Sequence, residues 1–451
     1  MIKKLAGMGL YNAIVEKIML PLGDMALGSS FMKIVHEVRQ QVALSENEIA
    51  ELQKSKLMEM LTFSSRHSAY YKNLGIANQQ DPVKWLKAFP VLDKPTLNSN
   101  VDAMLTMPKE KLIKNSSSGS SGIQTVGYYS QKEMDTFRAM QTVFWEWGGY
   151  HLGDRLIQTG MGLNRSKVKR IKDFLLRTKY MIAFNPDPND VKKAFSELPD
   201  NTYRFFGYAS SLYVYAQIAK ELGLRGPKFK SMVCWGDKMF PHYKELIKEQ
   251  FGCEVTETYG AAEGFQMAGQ KDLAYMYLMA PWVYMEILDD DGNEVADGEI
   301  GHVVVTSLIA KAMPMIRYRI GDLAVKLPRN EYPVKRDLNL PLLKRVVGRD
   351  TDIVKTPNNR WLIVHTFTGV FEYYPEIQQF RIVQRELESF EVEFIRGNNF
   401  YSGVLEKVSA HLKKVIDDDS ISWNYTEVNE IPNSPSGKPQ IIKSLLPKAA
   451  I

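Results

Sequence analysis

The chain has 451 residues, too many for one compact core, so two or more domains are expected. Its 45% hydrophobic and 24% charged residues are those of an ordinary folded protein and exclude a disordered chain. A net charge of +5 is mild, and no Lys/Arg run is dense enough for a nucleic-acid footprint. At the N-terminus Lys3 and Lys4 precede the mostly apolar Leu5 to Val15. Glu16 and Lys17 cut that run too short for a leader or a spanning helix. It is expected to pack on the body rather than on a membrane, and it leaves room for a homodimer. Ile49 to Tyr71 reads as one long helix, with Ile49, Leu52, Leu57, Leu61 and Phe63 as a partial apolar stripe. Asp93-Lys94-Pro95 is a turn that starts another.

From Ser116 to Ile123, seven of the eight residues are Ser or Gly, and a strand over Val126 to Tyr129 follows. Such a loop turns backbone N–H groups and hydroxyls into one concavity, which suits phosphate oxygens. It also suits a flexible linker, and the loop alone does not separate the two. Phe137, Met140, Phe144 and Trp147 then share one face of an amphipathic helix that Gly148-Gly149 stops. Lys167 to Lys172 (KVKRIK) is the most basic cluster and reads as a solvated helix face.

Strand and helix now alternate. Strands are expected at Leu156 to Gln158, Tyr203 to Phe206, Ser231 to Trp235 and Cys253 to Thr258. Helices are expected at Ser210 to Leu222 and His242 to Phe251. This alternation argues for parallel α/β layers. Tyr275 to Leu327 is richer in strands, with a hairpin turn at Asp289 to Asn293. A last α+β unit follows, with strands at Phe380 to Gln384, Phe390 to Ile395 and Ile421 to Val428 around a helix from Ser402 to Ile416. Cys234 and Cys253 read as two buried free thiols, which fits a reducing cytoplasmic setting. No Cys/His cluster has metal-ligand spacing.

Four short stretches fall in order behind the Ser/Gly loop: Tyr259-Gly260-Ala261-Ala262-Glu263, Tyr318-Arg319-Ile320-Gly321-Asp322, Gly348-Arg349-Asp350-Thr351-Asp352 and Pro435-Ser436-Gly437-Lys438. In this order the set resembles the adenylate-forming superfamily of acyl-CoA synthetases, adenylation domains and luciferases. The resemblance is to its phenylacetate–CoA ligase-like branch, including capsule-biosynthesis relatives. His67-Ser68-Ala69-Tyr70-Tyr71 and the run from Ala312 to Leu323 look like that branch, and the likeness covers nearly the whole chain.

The resemblance implies an α/β fold: a large N-terminal domain (residues 1–347) of layered α/β with a β-rich subdomain, helical over about its first 110 residues, and a small mobile α+β C-terminal lid (residues 348–451). It implies that a small-molecule carboxylic acid attacks the α-phosphorus of ATP and expels pyrophosphate. Coenzyme A then displaces AMP. Ser117, Ser118, Gly119, Ser120, Ser121 and Gly122 would hold the β- and γ-phosphates, and Glu263 would hold Mg²⁺. Tyr259 and Gly260 would pack on the nucleotide, with Trp235, Gly236 and Asp237 as a nucleotide-side turn. Asp322 would accept from the ribose hydroxyls, and Arg349 would pair with phosphate or ribose at the hinge. Lys438 would offset charge at the α-phosphate. Tyr208, Trp235 and Tyr259 would line an acyl pocket, favouring an aryl or arylalkyl acid.

Each residue also has a plain reading: core aromatics for the Tyr and Trp side chains, a turn cap for Asp322, an ion pair for Arg349, an exposed lysine for Lys438. The chain departs from the family where Ile123-Gln124 replaces the Lys-Pro after the loop glycine. It departs again at Thr351 in the hinge, and at Lys355 to Asn359, where glycines are usual. These departures keep two alternatives open. One is an adenylate-forming transferase with a non-CoA acceptor in polysaccharide or secondary metabolism. The other is a non-catalytic nucleotide-binding protein.

Overall fold

The computed structural model describes residues 9–116, 125–160, 166–183, 186–224, 227–237, 239, 241–289, 291–347, 354–358, 361–362, 364–371, 373–397, 399–432 and 441–446. The chain divides into two compact units. Met1–Ser116, Thr125–Asp154 and Thr256–Gly348 make the first. Ser117–Gln124, Arg155–Val255 and Arg349–Ile451 make the second.

In chain order the elements begin with α1 (Leu10–Ile14), a π-helical turn (Val15–Met19), α2 (Leu20–Leu27), α3 (Phe31–Gln41) and α4 (Glu46–His67). Next come α5 (Ala69–Asn73), α6 (Pro82–Lys87), α7 (Lys94–Ser99), α8 (Val101–Met104), β1 (Ile113–Ser116), β2 (Val126–Tyr129) and α9 (Gln131–Trp147). The second unit contributes β3 (Leu156–Gly160), α10 (Lys167–Leu175), β4 (Thr178–Ile182), α11 (Pro188–Ser196), β5 (Arg204–Tyr208), α12 (Ala209–Glu221), β6 (Met232–Trp235) and α13 (Pro241–Phe251). The first unit resumes with β7 (Val255–Ala261), β8 (Phe265–Gly269), β9 (Met276–Leu278), β10 (Val283–Leu288), β11 (Ile300–Ser307), β12 (Tyr318–Lys326) and β13 (Leu342–Val346). The chain closes with β14 (Val354–Lys355), β15 (Trp361–Leu362), α14 (Val364–Phe371), β16 (Ile377–Gln384), β17 (Ser389–Arg396), α15 (Val404–Ile416), β18 (Ser422–Glu427) and β19 (Ile442–Ser444).

The sheet of the first unit runs β10-β11-β12-β13-β9-β8-β7. Its strands pair antiparallel from β10 to β13 and from β13 through β9 and β8 to β7. Helices α3 to α7 and α9 cover it, and Leu57, Leu61, Trp85, Phe89 and Phe144 are buried in the shared core with Tyr277, Met313 and Tyr318. The expected helix over Ile49 to Tyr71 breaks at Ser68, whose ψ of 124° is extended. Composition gives no sign of this break. Ser68 Oγ donates to the carbonyl of Ala103, 35 residues away, so tertiary packing sets it.

The N-terminal helical segment packs through Val15, which is fully buried, and through polar side chains beside it. Asn12 Nδ2 donates to the Leu152 carbonyl and to Asp154, each at 3.0 Å, and Glu16 pairs with Arg39 at 2.6 Å. Leu10, Ile18, Leu22, Met25 and Leu27 face outward. No helix of the described residues is long and apolar enough to cross a membrane.

In the second unit β6-β5-β3-β4 form a parallel sheet. Phe195, Phe205, Tyr215, Phe229 and Phe251 pack in its core, edge-on for Phe195–Phe251, Phe205–Tyr215 and Phe229–Phe251 and tilted for Phe205–Phe229. The strand–helix alternation agrees with the expected parallel layers. β4 and α11 have no counterpart among the elements expected from the sequence. The same unit holds a four-stranded sheet, β18-β17-β16-β19, against α14 and α15. Cys234 lies buried in β6. Cys253 sits in the turn before β7 rather than in a strand, is half-buried, and has its thiol pushed up to about 12 by burial.

Candidate functional site

In the first unit the site begins where β7 turns into β8. The pair registers Tyr259 against Ala268 and Gly260 against Gln266, with a bulge between. A Cβ on Gly260 would lie 2.6 Å from the Phe265 carbonyl, so the chains approach too closely for a side chain. Glu263 occupies the turn and is 7% exposed. Its Oε1 accepts from Thr125 Oγ1 at 2.6 Å and from Tyr318 Oη at 3.0 Å. Its backbone carbonyl accepts from the Tyr129 hydroxyl. Burial, reinforced by the charge of Glu263, holds the Tyr129 and Tyr318 phenols well above their ordinary range. Both stay neutral donors, Tyr318 toward the Glu263 carboxylate and Tyr129 toward the Glu263 backbone carbonyl.

Both ends of the Ser/Gly loop are tied to this turn. β1 and β2 pair antiparallel and bring Ser116 opposite Val126. Asn115 Nδ2 donates to the Ala262 carbonyl at 2.8 Å, while Thr125 holds Glu263. Beside them Tyr259 Oη donates to Asp322 Oδ2 at 2.9 Å. Tyr259, Gly260, Glu263 and Asp322 are thus brought together within one unit. Thr125 and Tyr318 join this cluster as donors to Glu263, and sequence reasoning gave neither a role. Tyr318 lies four residues before Asp322 in the same motif and the same strand, β12, a usable signal. Nothing local marks Thr125, which is 138 residues from its partner.

Gly264 completes the turn at φ +86°, and a Cβ there would come within 2.9 Å of the Phe137 and Tyr129 rings. Left-handed strain and overpacking together make Gly264→Ala cost roughly 2–4 kcal/mol. A thermal melt of the variant checks this, and an unchanged transition would count against it.

In the second unit Tyr208 ends β5 and Trp235 ends β6. They are register partners with ring centroids 6.3 Å apart. Both are half-buried, at the carboxyl ends of parallel strands, where ligands of open α/β sheets sit. Gly236 follows at φ +86°. Asp237 turns back onto the start of α12. Its Oδ1 accepts from the Ala209 N–H at 2.6 Å, and its Oδ2 accepts from the Ser210 N–H at 3.1 Å and from the Ser210 hydroxyl. This anchors a helix N-terminus that lacks a cap of its own.

Burial pushes the Asp237 carboxyl up to about 6 despite these donors. The folded protein therefore holds the proton more tightly than the unfolded chain does. The contribution is present in full below about pH 4 and is lost as the pH rises to about 6, by up to about 3 kcal/mol for two units. Asp237→Asn is expected to flatten that part of the pH–stability profile, measured by urea unfolding at pH 4.5 and 7. Ser117, Ser118, Gly119, Ser120, Ser121, Gly122, Arg349 and Lys438 lie outside the described residues.

No protein-family profile matches the chain. It is 23% identical to protein CapK of Staphylococcus aureus over 414 residues, 87% of this chain and 88% of that one. It is 24% identical to a phenylacetate–coenzyme A ligase of Pseudomonas putida over 373 residues, 73% of this chain and 72% of the relative. Among solved structures it matches 2-hydroxyisobutyryl-CoA ligase in complex with 2-HIB-AMP and CoA in the thioesterification state. That match has a TM-score of 0.59 at 18% identity and covers 90% of this chain and 92% of the other. The open conformation of the same ligase gives a TM-score of 0.54. The α/β architecture, the order of the motifs and these likenesses agree: over most of its length the chain is similar to CapK and to phenylacetate–coenzyme A ligases, and it shares the fold of 2-hydroxyisobutyryl-CoA ligase.

Proposed function

We propose that the chain is an AMP-forming ligase that activates a small carboxylic acid with ATP. The observation that carries this is the Glu263 turn. The turn holds the residues that flank the Ser/Gly stretch, Asn115 through the Ala262 carbonyl and Thr125 through the buried Glu263 carboxylate, and the same unit carries a Tyr259–Asp322 pair. Among the described residues no group of three or more His, Cys, Asp or Glu gathers into a metal cage. A lone carboxylate fits Mg²⁺, which takes one or two protein carboxylates and completes its shell with substrate phosphates and water. Bound there, the ion would neutralise phosphate charge. Ser117 to Gly122 would cradle the β- and γ-phosphates, and Asp322, held by Tyr259, would accept from the ribose. Arg349 and Lys438 would complete the charge complement, the lysine at the α-phosphate during adenylation. Tyr208 and Trp235 would offer aromatic surface to an aryl or arylalkyl acid.

In the reaction a carboxylate oxygen bonds to the α-phosphorus and pyrophosphate leaves. A thiol then bonds to the acyl carbon and AMP leaves. Coenzyme A is the thiol favoured by the ligase relatives. A non-CoA acceptor is the second reading, supported by the match to CapK over 88% of its length and by Lys355 to Asn359 where glycines are usual.

Carboxylate-dependent exchange of labelled pyrophosphate into ATP, over a panel of aryl and fatty acids, tests the first step. Exchange with one acid, lost in Lys438→Ala, supports it; no exchange with any acid in folded, ATP-binding protein rejects it. Asp322→Ala is expected to raise the KM for ATP about tenfold or more, the loss of a charge-assisted hydrogen bond.

A further inference from the structure

Helix α10 departs from the usual surface helix, which hides an apolar side. None of its described side chains is buried. Ile171 is 62% exposed and Phe174 81%, and with Leu175 they stand three and four positions apart on one face. Lys167, Lys169, Arg170 and Lys172 are exposed around them, against Asp173 as the one carboxylate of the helix. Arg177 and Lys179 follow directly. Ser166 caps the helix by accepting from the Lys169 N–H, so the element is well formed although little covers it.

An exposed apolar face needs an occupant, and the charge selects it. A second copy docked on the same face would set these cations against themselves. A polyanion without an apolar phase would satisfy the cations and leave Ile171 and Leu175 in water. A lipid surface rich in anionic headgroups satisfies both. Phosphates pair with the Lys and Arg ammonium and guanidinium groups, and Phe174 and Ile171 enter the headgroup–acyl boundary. We propose that α10 docks this protein on an anionic membrane surface.

The test uses the full chain and extruded vesicles, either pure phosphatidylcholine or an equal mixture with phosphatidylglycerol, with bound protein measured by sedimentation. Partition onto the anionic vesicles is expected at about 0.01 M salt and is expected to fall at least about tenfold near 1 M, where the screening length drops from ~30 Å to ~3 Å. Pure phosphatidylcholine is expected to bind at least about tenfold less. Ile171→Ser with Phe174→Ser, and separately Lys169→Glu with Lys172→Glu, are each expected to lower partition at least about tenfold. All four side chains are exposed, so the melting transition should not move, and a shared loss of folding is thereby distinguished. Absence of partition at low salt, or partition unchanged in both variants, overturns the proposal. So does a dimer in size-exclusion chromatography that Phe174→Ser converts to monomer without any vesicle binding.

Discussion

Glu263→Gln is expected to lower carboxylate-dependent pyrophosphate exchange at least about a hundredfold while leaving the melting transition nearly in place. The substitution separates two roles. Glutamine keeps a side-chain oxygen that can accept from Thr125 and Tyr318, so the turn stays assembled. It removes the charge that a hard cation requires, and taking away one electrostatic partner of the transition state in a water-poor site costs about 3–4 kcal/mol. Glu263→Ala would lose both roles and so would separate nothing. The readouts are exchange rate against Mg²⁺ concentration and a thermal melt. A glutamine variant with full exchange would remove Glu263 from the site. One that fails to fold would make the carboxylate structural.

Arg317→Met is expected to give the largest loss of stability. Arg317 and Glu286 face each other across the β-sheet with side chains 9% and 3% exposed. Two guanidinium nitrogens reach the two carboxylate oxygens at 3.1 and 3.0 Å, and a third donates to the Phe89 carbonyl at 2.8 Å. Removing the arginine strands Glu286, whose carboxyl burial already pushes above its ordinary value. An uncompensated buried charge costs about 3–5 kcal/mol. Arg317→Met with Glu286→Leu is expected to recover most of it, since apolar replacement of a buried pair is often neutral. Urea unfolding of both variants checks the pair.

The effect should reach the site as well. Arg317 stands in left-handed conformation at φ +51°, its N–H donates to Thr306 Oγ1, and the next residue is Tyr318, which holds Glu263.

Much of this was legible in the sequence. The helix of Phe137, Met140, Phe144 and Trp147 runs Gln131–Trp147, with a capping box at Ser130 and Glu133. The alternation from Leu156 to Thr258 gave most of the parallel layers, because strands buried on both faces read as continuous apolar runs. Tyr259, Glu263 and Asp322 stood out through their motifs and are brought together. What failed to show has physical reasons. Strand β4 is nowhere fully buried, so it carries no apolar signature. Helix α11 has two buried apolar positions, Val191 and Phe195, too few to declare a period. Thr125 acts through a contact that only the fold creates. The clamp of Asp237 on α12 likewise joins residues 27 and 28 apart that no local pattern links.

The first unit is written in three pieces of chain, and this sets an order of events during synthesis. Gln53 on α4 donates to the carbonyl of Val283, 230 residues later, and Tyr71 donates to that of Pro314, 243 residues later. At about 5–20 residues per second those partners emerge roughly 10–50 s after the helices that need them. Arg155–Val255 suffers no such delay. Its strands and helices are contiguous, and each new strand finds its neighbours already made. The chain is therefore assembled from the middle outward. Until those later partners emerge, Ile49, Leu57 and Leu61 have only the neighbouring helices, and not the sheet of the first unit, to cover them.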